Sequence, residues 1–150
     1  MSKQQGLSSS VVYQDARAAM RWLEAAFGFE PAMLLEDADG AVVHAQMAFG
    51  ETNVMIGQEW DDDYKSPRSV GGKNTQTVSI HVADDIDAHC ERARQAGAQI
   101  VRELATQFYG DRTYACRDPE GHIWHVSQTV QQVSREEAEA ASGLKITGWV

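Results

Sequence analysis

Asp15-Ala-Arg-Ala-Ala-Met-Arg-Trp-Leu-Glu-Ala-Ala-Phe-Gly28 and Asp84-Asp-Ile-Asp-Ala-His-Cys-Glu-Arg-Ala-Arg-Gln-Ala-Gly97 decide the fold, because they bracket the same kind of segment twice. An aspartate at a helix start accepts hydrogen bonds from the unpaired N–H groups of the first turn. A glycine past the end adopts the left-handed conformation that closes the helix. Both brackets recur 69 positions on, Asp15 to Asp84 and Gly28 to Gly97. In the first, Ala16, Met20, Leu23 and Phe27 fall on one helical face. A repeat of this length predicts two modules that face each other, with the site between them.

The flanking runs read as strands. Residues 8–13 precede the first helix, and 31–35, 41–49 and 53–57 follow it, with Asp39-Gly40 as a hairpin signal. Residues 75–82 precede the second, and 100–104, 113–117 and 123–128 follow. Asp118-Pro119-Glu120-Gly121 makes a turn before the last. The chain is therefore predicted to be α+β, one domain of two βαβββ modules, about 8–57 and 75–128. Between them 58–74 has no period and is read either as a binding loop or as a solvated linker. Ser134-Arg135-Glu136-Glu137 fits a capping box that opens an acidic helix over about 134–142.

Composition excludes several classes. The 150 residues are 43% hydrophobic and carry a net charge of −9, without the basic patch that nucleic acid demands. No apolar run is long enough to span a bilayer. Ser2 to Ser10 is polar and small, so a cytoplasmic location is expected. Cys90 and Cys116 read as a reduced pair, with Cys90 packing on the stripe of Ile86 and Ala93.

Strand alternation separates the helix-facing side chains from those lining a cavity. Val11, Tyr13, Val43, Ala45, Met47, Phe49, Val54, Ile56, Val78, Ile80, Val82, Trp124 and Val126 are expected under the helices. That leaves Ser8, Ser10, Val12, His44, Gln46, Asn53, Met55, Thr77, Ser79, His81, His125 and Ser127 facing inward.

Two βαβββ modules with Asp118-Pro-Glu-Gly-His-Ile-Trp before the last strand resemble the vicinal oxygen chelate superfamily of glyoxalases, bleomycin-resistance proteins and dioxygenases. The Asp15 and Asp84 stretches, Ser66-Pro-Arg-Ser-Val-Gly-Gly and Tyr109-Gly-Asp-Arg also carry the resemblance, which covers about 8–128 and is nearest the glyoxalase-like bacterial branch. It implies curled sheets around a cavity and, in metal-dependent members, histidine or glutamate on the first and last strand of each module. Those positions fall on Ser8, Met55, Thr77 and His125. Only His125 suits a hard or borderline divalent ion; hydroxyls are weak ligands and a thioether prefers copper(I). A replacement site from His44, His81 and His125 is disfavoured, since His81 lies about 13 Å along its strand from Thr77 at about 3.3 Å per residue.

The expectation is a protein without metal or other cofactor that binds a small organic molecule, with the homodimer that the bleomycin-resistance resemblance implies. Candidate ligand-binding residues are His44, Gln46, Met55, Thr77, His81 and His125 on the strands, Trp60 and Tyr64 on the long loop, and Tyr109 and Arg112 on a turn. For Arg112 the competing reading is an ion pair with Asp111 or Asp118. Two further functions stay open: a glyoxalase-type lyase or isomerase using histidine or a relocated metal, and a partner-binding module with a vestigial cavity. His89 and His122 read as surface or turn residues without a role.

Overall fold

Each helix is held at both ends by the residues that punctuate the sequence, and the computed structural model, which describes residues 5–149, shows how. Helix α1, Ala16–Phe27, starts at Asp15, whose side chain accepts from the Ala18 amide, and ends at Gly28 with φ of 76°. Helix α2, Ile86–Gln95, starts at Asp85, the second of the two aspartates, Asp84 and Asp85, that the sequence offers as its cap. The repeat is thus 70 residues at the helix entries, Ala16 to Ile86, and 69 at the left-handed glycines Gly28 and Gly97. A further symmetric joint escaped the sequence reading. Gln58 accepts from the Ala16 amide at 3.0 Å and Gln128 from the Ile86 amide at 2.9 Å, so each module's last strand holds the first turn of its own helix.

The strands are β1 Ser10–Tyr13, β2 Glu30–Glu36, β3 Val42–Phe49, β4 Thr52–Gln58, β5 Val78–His81, β6 Gln99–Thr106, β7 Asp111–Arg117 and β8 Ile123–Thr129. They form two four-stranded sheets in the orders β1-β4-β3-β2 and β5-β8-β7-β6, with β1 parallel to β4 and β5 parallel to β8. This is βαβββ twice, α+β, with neither sheet closed into a barrel. Helix α3, Arg135–Ser142, begins at Ser134, which accepts from the Glu137 amide. No helix among the described residues is long and apolar enough to cross a membrane.

Alternation places the core largely as expected. Val11, Tyr13, Ala45, Met47, Val54, Ile56, Trp124 and Val126 are all buried beneath the helices. Phe49, Val78 and Ile80 are only half-buried, bordering the cleft between the modules, and Val43 is 61% exposed, with Val42 buried in its stead. Pairing slips between Leu35 and Glu36, leaving Val43 as the extra residue of a bulge, and one inserted residue reverses the facing of its neighbour.

The modules join on the helix side. Phe27, Phe29 and Trp124 pack at centroid distances of 5.4–5.8 Å. The Trp22 indole donates to the Ala96 carbonyl, and Arg92 donates to the carbonyls of Glu24 and Ala25 at the end of α1. The Asp118-Pro-Glu-Gly-His turn fastens a second corner. Asp118, 5% exposed, accepts from the Tyr13 hydroxyl at 2.6 Å and the Trp124 indole at 3.0 Å. Glu120 accepts from the Gln14 and Asp15 amides, and His122 Nε2 donates to the Val12 carbonyl.

Candidate functional site

Once the helices cover one side of each sheet, the opposite sides are left to a ligand. Register places Ser79, His125, Ala115 and Arg102 in one row across β5-β8-β7-β6. The next row holds His81, Ser127, Thr113 and Ala105. His81 Nδ1 lies 3.1 Å from Ser127 Oγ. These rows form a recess of about 390 Å³ lined by Ser79, Arg102, Thr113, His125 and Ser127, with Gln107 and Tyr109 at its mouth. Arg102 was not expected here. The strand read as 100–104 runs over Gln99–Thr106 with two irregularities in its pairing, and simple alternation fails across them.

Module one answers with a different chemistry. Its corresponding row is Ser10, Met55, Gln46 and Met33, and His44 lies opposite Leu35. His44, Gln46 and Met55 are half-buried, whereas Met33 and Leu35 are 38% and 48% exposed. Thioethers stand where module two presents an imidazole and a guanidinium. Of this row, Ser10 lines the cleft between the modules.

Between the β1 and β5 edges runs a seam cleft of about 740 Å³. Ser8, Ser10, Asn53, Gln76, Thr77 and Ser79 supply its polar walls, and the half-buried Phe49, Val78 and Ile80 its apolar ones. Among the described residues no charged side chain lines it. Ser79 borders both the seam and the recess.

The four positions that the resemblance assigns to an ion's ligands are distributed over these surfaces. Ser8 and Thr77 line the seam, Met55 lies on the module-one face and His125 in the recess. Two hydroxyls, a thioether and one imidazole do not make a donor set for magnesium, manganese, zinc or iron. Among the described residues no group of three His, Cys, Asp or Glu gathers at metal-binding distance.

The remaining candidates lie elsewhere. Trp60 and Tyr64 stack on each other at 4.6 Å, 69% and 46% exposed, and line neither seam nor recess. Their loop is tied to the Asp118 turn instead of lying across a cavity. Arg68 donates to the Pro119 carbonyl, Asn74 bridges Gly121 and Ile123, and Ser66 is fully buried. Arg112 pairs with Asp87 of α2 at 2.7 Å, on the helix side of β7, with neither of the aspartates expected as partners.

Two histidines assigned no role are structural. His122 forms the inter-module bond to Val12. His89 stacks on Phe27 at 5.5 Å and meets the Tyr114 hydroxyl at 2.7 Å, while its Nε2 is buried without a partner. Burial holds its pKa below the ordinary value, because a charged ring there would lose hydration. Cys90 and Cys116 are both free and buried; burial raises both thiols, Cys116 to about 12. Neither is poised as a nucleophile.

Comparison with known proteins agrees with this architecture. Residues 8–126 match the model of the Glyoxalase/Bleomycin resistance protein/Dioxygenase superfamily. An uncharacterised protein of Mycobacterium bovis is 35% identical over 143 residues, spanning 90% of each chain. The crystal structure of TioX from Micromonospora sp. ML1 is similar with a TM-score of 0.66 at 30% identity, covering 87% of this chain and all of that one. The fosfomycin resistance protein FosX from Listeria monocytogenes shares the fold, with a TM-score of 0.63 at 14% identity over 91% of this chain and 99% of that one. The chain belongs to the Glyoxalase/Bleomycin resistance protein/Dioxygenase superfamily.

Proposed function

We propose that this superfamily member is a cytoplasmic binding protein that holds a small organic molecule between its sheets without a bound metal. The observation that carries the reading is the seam. Its hydroxyls and amides stand beside the half-buried Phe49, Val78 and Ile80, with no charge among the described lining residues. Such walls suit a ligand with flat apolar parts and neutral hydrogen-bonding groups. The donor chemistry of Ser8, Met55, Thr77 and His125 argues in the same direction, since it gives a divalent ion one good ligand.

The working unit in this reading is a homodimer. Met33, Leu35 and Val43 are exposed on or beside the module-one face, an apolar surface that a partner's module-two face would cover. A thermal-shift screen of neutral and mildly acidic aromatic compounds tests binding. A ligand at about 100 times its dissociation constant adds roughly 2.7 kcal/mol of stability. Asn53→Leu with Thr77→Val removes the polar walls and should abolish the shift while the unliganded midpoint stays near wild type. Stoichiometric zinc, nickel or iron in protein purified without chelator would overturn the metal-free reading. A monomer by sedimentation at micromolar concentration would overturn the dimer.

A second reading is favoured by one contact. The pairing of His81 with Ser127, one row from His125, offers a positioned base of the kind a metal-free lyase or isomerase needs. Turnover of a hemithioacetal lost in His125→Ala or His81→Ala, with ligand affinity retained, would select it.

A further inference from the structure

We infer that the module-two face recognises an aromatic anion of single charge, its acidic group held by Arg102 and its ring system by a cleft that the C-terminal segment completes. This rests on the small-molecule reading and names the class of ligand.

The head-group site follows from pairing. Five arginines belong to module two, and four are engaged. Arg92 caps α1, Arg94 pairs with Glu103, Arg112 pairs with Asp87, and Arg117 donates to the Gly72 and Gly121 carbonyls. Arg102 alone has no hydrogen-bond or ion-pair partner among the described residues, and it lines the recess. Its row neighbours are Ala115, 1% exposed, and then His125. Two strand spacings put the Cα atoms of Arg102 and His125 about 10 Å apart, on either side of the buried Ala115. Both side chains line the recess, and the guanidinium fork matches a carboxylate in a bidentate manner. In a chain of net charge −9, an unpaired cation beside an imidazole and two hydroxyls is a local exception to the surrounding field.

The ring site adjoins it. Phe108, Tyr109, Ile146 and Trp149 wall a cleft of about 560 Å³. Its three aromatic rings are 39%, 41% and 43% exposed, and Phe108 meets Tyr109 edge-on at 5.1 Å. Tyr109 and Asp111 line both cleft and recess, so one molecule can occupy both. The cleft is firmly built. The amides of Val130 and Gln131 both donate to the Gly110 carbonyl, at 3.0 and 3.1 Å. A Cβ at Gly110 would overlap the Gln131 carbonyl. Ile146 and Trp149 lie beyond residues 8–126, so this wall is an addition to the part of the chain that matches the family.

Asp111 fixes the orientation. It accepts from the Thr129 hydroxyl and lies four residues along β7 from Ala115, about 13 Å at roughly 3.3 Å per residue. A second acidic group there would be repelled, whereas a hydroxyl or amine would be met by an acceptor. The ligand is thus charged at the Arg102 end and a neutral donor at the other.

Two probes of one shape test this: 6-hydroxy-2-naphthoate and the uncharged 6-hydroxy-2-naphthamide, titrated calorimetrically into the full chain. The naphthoate should bind at least about tenfold more tightly than the amide. Arg102→Gln should erase that preference with amide affinity unchanged, and Trp149→Ala should weaken both probes. Equal binding of the two probes to wild type, or a preference that survives Arg102→Gln, overturns the inference. Binding that responds to Asn53→Leu with Thr77→Val but not to Arg102→Gln or Trp149→Ala also overturns it, while preserving a small-molecule site in the seam. If neither probe binds, the anion site falls and the broader reading stands or falls on its own screen. Unchanged circular dichroism and thermal midpoints of the variants confirm that the readout is recognition and not folding.

Discussion

Replacing Asp118 with alanine should separate the two modules energetically more than any surface change. Its carboxylate accepts from the Tyr13 hydroxyl, the Trp124 indole and the backbone amides of Glu120 and His122. Tyr13 and Trp124 are 1% and 0% exposed, so their stranded donors would find no water. Each unsatisfied buried donor costs about 1–3 kcal/mol. The two backbone donors lie in a turn, where solvent can replace part of what is lost. The sum is about 3–5 kcal/mol, which for a chain of this size lowers the thermal midpoint by roughly 8–15 °C. Asp118→Asn keeps an acceptor for the backbone amides but turns an amide N–H toward the Trp124 indole, and should cost about 2 kcal/mol. Tyr13→Phe removes one donor and leaves the others, for about 1.5 kcal/mol. Urea unfolding of the three variants and of the Tyr13→Phe/Asp118→Ala double variant measures the coupling. An Asp118→Ala midpoint within about 3 °C of wild type, or strict additivity in the double variant, would refute the argument that this turn joins the modules.

His89 makes stability depend on pH. Burial lowers its folded pKa, so the unfolded ring protonates first, near 6.5. Its contribution is complete above about pH 6.5 and is lost as pH falls through the depressed folded value; the drop in midpoint between pH 7.5 and 5.0 should shrink in His89→Gln, and an unchanged drop would contradict the assignment. Gly110→Ala combines φ of 100° with overlap on the Gln131 carbonyl, whereas Gly71→Ala combines φ of 74° with open space. The first should cost about 3 kcal/mol or more and the second about 1 kcal/mol, so equal losses in a denaturant titration would count against the packing described. Cys90 and Cys116 are buried with raised pKa values. Neither should react with a thiol-specific disulfide reagent at pH 8 in the native state, and both should react in denaturant.

What could be read from residues alone was the part that local rules control. Asp15, Gly28 and Gly97 specify helix ends through their own backbone chemistry, and alternation picked out most of the buried strand residues where the pairing was regular, although Phe49, Val78 and Ile80 are only half-buried. It failed at Val43, where one extra residue reverses the facing, and missed Arg102, which lies on a strand with two breaks in register. Single-strand periodicity contains no information about such slips, because they are relations between strands. The same limit explains the histidines. His89 and His122 carry no local signature of burial, and their contacts with Phe27, Tyr114 and Val12 bridge sequence distances of 25 to 110 residues. Trp60 and Tyr64 stack on each other away from the seam and the recess, while Phe108 and Trp149, which line a cleft, sit in segments without a periodic pattern.

The ties between modules are unevenly spread, and the unevenness sets what the molecule can accommodate. Tyr13, Gln14, Asp15, Trp22 and the end of α1 are all bonded to the second module along the helix layer. Across the mouth of the seam, among the described residues, a single 3.4 Å contact from Gln76 to Ser9 links the two halves. The halves resemble the covers of a book, with the bonds crowded along the spine and one at the free edge. Under the proposed reading, the angle between the covers, more than the walls of the seam, would set the thickness of guest admitted.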